Sequence, residues 1–277
     1  VVYQGLEPFG RDDAARFFGR DREIKAMLGR LDALQRSPDS AVLAVLGQSG
    51  IGKSSLLAAG LLPALETRSL PSSPEVASWP AAVITPGSTP LQNLREFWER
   101  HAASSDSGDE TAPRNGSILV VDQFEEVFQL DHVVRQQFVA ELFSAASSPT
   151  GGGESDPTAL VVIACRNEFY PELRQLALLK PALDAPFNLD PLTGEALAEA
   201  IREPARRAGI TVGNDLVNRL LADAGVRDGG LVEGKLPLIS HVLRLMNQSG
   251  PMTVRSYERV GGIDGAVAHT ADQAWEE

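Results

Sequence analysis

The run Ala41-Val-Leu-Ala-Val-Leu46, followed directly by Gly47-Gln-Ser-Gly-Ile-Gly-Lys-Ser54, decides how the rest of the chain is read. Six apolar residues without polar alternation fit a strand buried on both faces, as in parallel sheets covered by helices. The next eight residues have the spacing Gly-x-x-x-x-Gly-Lys-Ser. Gly47, Gly50 and Gly52 let backbone N–H groups converge on an anion, Lys53 can neutralise β- and γ-phosphate charge, and the Ser54 hydroxyl suits magnesium. Leu56, Leu57, Leu61 and Leu62 then form a helical stripe, so a helix starts here with its positive end toward the anion. Gln48, Ser49, Ile51 and Ser55 complete the predicted nucleotide-contacting set. The alternative is a chance glycine-rich turn, and the strand before it and the helix after it argue against that.

Working outward, Ile24, Met27, Leu28, Leu31 and Leu34 mark a helical stripe before the first strand. Further strands are predicted at Ala81 to Thr85, Ile118 to Val121, Leu160 to Ala164 and, more weakly, Phe187 to Leu189. Ser104 to Gly116 and Ser147 to Thr158, rich in Ser, Gly, Asp and Pro, read as surface loops. From about Pro191 helices dominate: Gly194 to Arg207 with a kink at Pro204, Asp215 to Ala224, and Leu236 to Met246. The expected architecture is an α/β P-loop NTPase fold. Its mainly parallel five-stranded sheet has the order 5-1-4-3-2, and a small helical domain follows. Residues 1–190 form the nucleotide-binding domain and 191–277 the helical one.

Ser117-Ile-Leu-Val-Val-Asp122 is an apolar strand ending in a carboxylate suited to magnesium. Glu125 and Glu126 follow at a distance that would let them orient or activate a water. The bland reading is that they begin a solvated helix whose apolar face holds Phe124, Val127 and Phe128. Arg166 ends the fourth strand, where a guanidinium could stabilise γ-phosphate charge. Alternatively it forms a salt bridge with Glu168 or Asp122. Arg202, Arg206 and Arg207 read as one solvated helix face. The extra strand between the loop and Asp122 favours water over a second substrate as phosphoryl acceptor, by fold-level analogy.

Composition narrows the choice further. The 277 residues carry 37 Asp and Glu against 25 Lys and Arg, a net charge of −12, which disfavours a general nucleic-acid-binding surface. With one cysteine, Cys165, no internal disulfide or cysteine-based metal cluster can form, which fits a reducing cytoplasm. His101, His132, His241 and His269 lack metal-ligand spacing. No apolar run approaches the ~20 residues of a membrane span, so no membrane association is expected. The start at Val1 rather than Met reads as a piece of a longer protein.

These motifs, in their order, resemble the STAND class of signal-transducing P-loop ATPases, in particular a bacterial group often joined to WD-repeat propellers. The resemblance begins with Tyr3-Gln-Gly-Leu-Glu-Pro-Phe9 and Phe17-Phe-Gly-Arg-Asp-Arg-Glu23 and continues through the phosphate loop. Val121-Asp-Gln-Phe-Glu-Glu-Val-Phe128, Ala164-Cys-Arg-Asn-Glu-Phe-Tyr170 and Gly234-Lys-Leu-Pro-Leu-Ile-Ser-His241 carry it to the helical part. It implies that Phe18, Gly19 and Arg20 lie near the adenine and that Pro237 packs on it. It also implies that Arg166 senses the γ-phosphate, Asp122 serves the metal, and Glu125 and Glu126 assist hydrolysis. Without it, Phe17 and Phe18 would be core residues and Pro237 a helix-start proline. Gly234 stands one residue farther from its proline than in the commoner Gly-x-Pro form.

The implied function is a slow, magnesium-dependent ATPase module. ADP would hold it closed and exchange for ATP would permit assembly, within a larger bacterial signalling or defence protein. ATP or ADP and magnesium are the expected ligands, and self-association or a partner protein is expected in the full-length molecule. The family's winged-helix and sensor regions are expected to lie outside this sequence. A nucleotide-dependent scaffold with negligible turnover is the competing reading. A nucleic-acid remodelling ATPase is a third, disfavoured by the acidic charge and by the lack of a basic stripe interleaved with aromatics.

Overall fold

The structure, a computed structural model, describes residues 2–36, 41–102, 116–146, 159–226 and 230–266. Both predicted surface loops fall outside these ranges, except for Gly116. The described residues divide into two compact units. One contains residues 23–47 and 61–189, and the other residues 1–22, 48–60 and 190–277.

The first unit is built on a sheet of five parallel strands: β1 (Val42–Gly47), β2 (Ala81–Ile84), β3 (Ser117–Val121), β4 (Ala159–Arg166) and β5 (Phe187–Asn188). Their order is β2-β3-β4-β1-β5, the predicted 5-1-4-3-2 read from the other edge. All of β1 and β3 is buried, as is β4 up to Cys165, which explains why these strands read as unbroken apolar runs. Each fully buried Val, Leu or Ile contributes about 1.5–3 kcal/mol relative to an exposed one. Phe124, Phe138, Leu142, Leu173 and Leu183 join the β1, β3 and β4 side chains in one core cluster. β4 is longer than predicted and takes in Arg166, which lies in register with Gly47 of β1. Because the strands are parallel, Gly47, Asp122 and Arg166 all fall at the sheet's carboxyl edge.

The second unit is helical, with a separate core. The segments Gly194–Arg207, Asn214–Asp223 and Lys235–Ser249 match the predicted helices closely, and Val254–Arg259 adds another. Leu197, Ile201, Leu216, Leu220, Val242 and Met246 face the shared interior. The Gly194–Arg207 helix passes through Pro204, which is buried in its last turn. Thr193 caps its start by accepting from the Ala196 N–H.

The N-terminal segment is bound into this unit along its length. Tyr3 donates to the Ile201 carbonyl at 2.7 Å, and burial pushes its phenol pKa well above the ordinary value. The Gly5 N–H donates to Ser240 Oγ, and Arg244 donates to the Gln4 carbonyl at 2.8 Å. His241, one of the histidines without metal-ligand spacing, is buried on the Lys235–Ser249 helix. No helix among the described residues is long and apolar enough to cross a membrane.

Candidate functional site

The phosphate loop belongs to the helical unit. Gly50 and Gly52 both have positive φ, +69° and +97°, a conformation that a side chain would strain. Gly52 is the N-cap of a helix that runs as α over Lys53–Ser55, as π over Leu56–Leu61 and again as α over Leu62–Arg68. Lys53 curls back over the loop and donates from Nζ to the Gln48 carbonyl at 2.9 Å. Ser54 lies half-buried in the first turn. Ser55 is turned to the N-terminal segment, its Oγ accepting from the Phe9 N–H at 3.0 Å.

Of the segment predicted to hold the base, Arg20 meets the same loop, whereas Gly19 and Phe18 meet the Gly194–Arg207 helix. Gly19 has φ +82°, and a Cβ there would stand 2.3 Å from the Ala196 carbonyl oxygen, so only glycine fits against that helix. Arg20 is 3% exposed; it donates from Nη2 to the Ile51 carbonyl at 3.1 Å and from Nη1 to the Asp190 carbonyl at 2.8 Å. Phe18 is covered by Arg207, whose Cζ lies 4.5 Å from the ring centroid. Arg206 pairs with Glu203 and Arg202 with Asn214, so of the three arginines read as one solvated face Arg207 has a distinct task. Phe17 packs edge-on against Phe9.

Pro237 lies against the loop itself. A Cβ on Gly50 would meet the Pro237 Cγ at 3.4 Å, and one on Gly52 would meet Leu236 at the same distance. Beside them lies a shallow cleft lined by Gln48, Ser49, Gly50 and Ile51 from the loop and by Leu192, Leu231, Val232 and Gly234. Leu192, Leu231 and Val232 are wall residues that the sequence reading missed. Single apolar residues between loops carry no periodicity, and the one available signal was Gly234, whose φ of +75° sets the turn into the last long helix.

The remaining predicted residues belong to the sheet unit. Asp122 is buried just beyond β3; its N–H donates to the Ile84 carbonyl, and its Oδ1 accepts from the Gln123 N–H at 2.9 Å. Gln123 adopts φ +52°, turning the chain into a 3-10 helix over Phe124–Gln129. That turn separates the two acids. Glu125, 8% exposed, receives Arg166 Nε on Oε1 at 2.9 Å and the Arg166 N–H on Oε2 at 3.3 Å. Glu126 instead accepts from the Gly87 N–H at 2.8 Å. Arg166 thus has Glu125 as an ion-pair partner, not the Glu168 or Asp122 named in the alternative reading of this arginine. Phe124 and Val127 are buried, and Phe128 stacks on Phe169.

Among solved structures, the chain is similar to Drosophila ORC bound to DNA, with TM-score 0.54 and 18% identity over 88% of this chain and 60% of that one. It is similar to the Aeropyrum pernix ORC2 protein, solved as ADPNP-ADP complexes, with TM-score 0.57 and 13% identity over 88% and 64%. Domain III of the Thermotoga maritima replication initiation protein DnaA gives TM-score 0.51 and 14% identity over 94% and 96%. At these identities the likeness is one of fold, and the chain spans less than two thirds of the first two proteins. No curated protein sequence matches it. The profile of the family described as Novel STAND NTPase 1 matches residues 3–277, nearly the whole chain. The chain, with its parallel P-loop sheet and its Gly-x-x-x-x-Gly-Lys-Ser loop, therefore belongs to the Novel STAND NTPase 1 family of nucleoside triphosphatases.

Proposed function

We propose that this protein is a magnesium-dependent ATPase of low turnover that acts as an ADP/ATP switch within a larger bacterial signalling or defence protein. The observation that carries the proposal is the phosphate loop: two left-handed glycines, Gly50 and Gly52, lead into a helix that opens on Lys53 and Ser54. Such a loop presents backbone N–H groups and a helix N-terminus to an anion. Lys53 then leaves the Gln48 carbonyl for the β- and γ-phosphates. The base and sugar lie beside the loop near Leu192, Leu231 and Val232, with Pro237, which packs against Gly50, contacting the adenine.

By donor chemistry, the Ser54 hydroxyl and the Asp122 carboxylate fit magnesium, a hard cation that needs few protein oxygens and takes the rest from phosphates and water. Among the described residues no group of three or more acidic, His or Cys side chains forms a cage, which suits a metal delivered with the nucleotide. When bound, magnesium supplies charge neutralisation at the β- and γ-phosphates. Glu125 orients the attacking water and Arg166 stabilises developing charge, while Glu126 supports the turn at Gly87. Residues 1–190 serve as the nucleotide-binding domain and 191–277 as the helical domain of the switch. Purine nucleotide is the small-molecule partner, and self-association follows exchange.

The decisive experiment is chromatography of nucleotide released from the denatured protein, followed by titration of the emptied protein with ATP, ADP and GTP in magnesium. Adenine preference that is lost in Lys53→Ala supports the reading. A folded wild-type protein that binds none of the three removes it. A second reading, a nucleotide-dependent scaffold with negligible turnover, is favoured by the engagement of both Glu125 oxygens by Arg166. Bound ATP that survives intact for hours in a single-turnover assay would select it.

A further inference from the structure

We infer that Arg20 is a positioning residue for phosphate binding: its guanidinium fixes the Ile51–Gly52 peptide so that the Gly52 N–H points at the anion, rather than contacting the base. The inference rests on the nucleotide-binding reading above and names how one residue of that site works.

The argument starts from burial. Burying the Arg20 guanidinium to 3% exposure costs desolvation that strong acceptors have to offset. Its fork reaches two backbone carbonyls, Ile51 in the phosphate loop and Asp190 at the start of the segment leading to the helices. Charge-assisted bonds of this kind are roughly twice as strong as neutral ones, and the planar fork fixes direction as well as distance.

Peptide geometry carries the step from Ile51 to Gly52. No cis peptide bond occurs among the described residues, and in a trans peptide the C=O and the following N–H point in opposite directions. Holding the Ile51 oxygen toward Arg20 therefore turns the Gly52 N–H away from Arg20. Gly52, with φ +97° and ψ 25°, is the N-cap of the helix that begins at Lys53, so its N–H leads the row of amides at that helix end. A phosphate seated there receives it. Without the guanidinium the Ile51–Gly52 peptide can rotate through ψ of Ile51 and φ of Gly52, and Gly52, having no side chain, tolerates either orientation. The Phe9 N–H on Ser55 Oγ steadies the same loop from its helical side, so the N-terminal segment holds it at both ends.

The test uses the whole chain with a fluorescent ADP analogue, displaced by ADP, inorganic pyrophosphate or adenosine, in wild type, Arg20→Lys and Arg20→Met. Lysine keeps the charge but lacks the planar fork that fixes two carbonyls in direction, so both variants are expected to lose about tenfold or more in ADP and pyrophosphate affinity. Adenosine affinity is expected to stay within about twofold, because adenosine carries no phosphate for the loop to hold. In amide NMR spectra the Gly52 resonance moves on ADP addition in wild type and moves less in Arg20→Lys, a readout that mere loss of stability would not produce. Wild type that fails to bind the analogue would overturn the nucleotide reading and this assignment with it. Wild-type binding with variants that keep pyrophosphate affinity, or that lose adenosine as strongly as ADP, would overturn the Arg20 assignment alone.

Discussion

Arg166 grips Glu125 twice, once from its side-chain Nε and once from its backbone N–H, so the last residue of β4 holds an acid four positions beyond the end of β3. The pair unites the acid and the arginine proposed for hydrolysis and leaves Glu126, in the same 3-10 helix, bonded to the loop at Gly87. Glu125→Gln is expected to lower single-turnover phosphate release by about 10²-fold or more, with ADP affinity within about twofold of wild type. Arg166→Ala removes the ion-pair partner, and the double variant is expected to cost much less than the sum of the two single ones. Additive losses would show that the two residues act independently.

Gly19 sets a second expectation. A Cβ would stand 2.3 Å from the Ala196 carbonyl oxygen, and φ is +82°, so Gly19→Ala combines left-handed strain with overpacking against backbone that cannot swing aside. The expected loss is on the order of 2–5 kcal/mol. It is read as a lower urea midpoint at unchanged slope. An unchanged midpoint would mean that the segment lifts away from the helix at little cost.

Tyr257 is buried and donates to Asp223 Oδ2 at 2.8 Å, while its oxygen accepts from the Ile263 N–H at 3.2 Å. Desolvation by burial, with the bond to Asp223, pushes the phenol pKa up to about 12. Tyr257→Phe keeps the ring and leaves the Ile263 N–H without that acceptor, an expected loss of about 1–3 kcal/mol in denaturant unfolding. Asp223 still has Arg219, so its own contribution to that loss is small.

Acid should loosen the helical unit through His241. Burial in the core, then repulsion from Arg244, lowers its pKa from the ordinary 6.5, while a bond with the Ala266 backbone partly opposes the shift. A lowered pKa means that the unfolded chain binds the proton more readily. The stability is therefore fully present above pH 6.5 and lost as pH falls below it toward the folded value. Thermal midpoints at a series of pH values, compared with His241→Gln, check this. The wild-type midpoint should drop more steeply than the variant's between neutral and acidic pH.

The sheet was legible because β1, β3 and β4 are buried on both faces apart from Arg166, so their sequences are apolar except at Ser117 and Arg166 and need no knowledge of partners. The phosphate loop was legible because anion binding constrains residue types at fixed spacing. The bonds from Arg20 to Ile51 and Asp190 were not, since they end on main-chain carbonyls, and any residue can supply a carbonyl. The difference between Glu125 and Glu126 was equally hidden. Two adjacent acids look alike until the left-handed turn at Gln123 sends one toward Arg166 and the other toward Gly87. The π segment over Leu56–Leu61 also escapes a reading based on apolar spacing, because its leucines suit an ordinary helix as well.

The pairing of β1 with β4 also governs how the chain is made. Val42 pairs with Val161, about 120 residues later, and no described strand other than β4 and β5 pairs with β1. On a ribosome adding about 5–20 residues per second, Ala41 to Leu46 is therefore synthesised some 6–24 seconds before its first strand partner exists. During that interval its apolar side chains stay uncovered by the sheet. Chaperone capture of nascent chains ending between β1 and β4, and its release once β4 has emerged, is the behaviour this topology imposes.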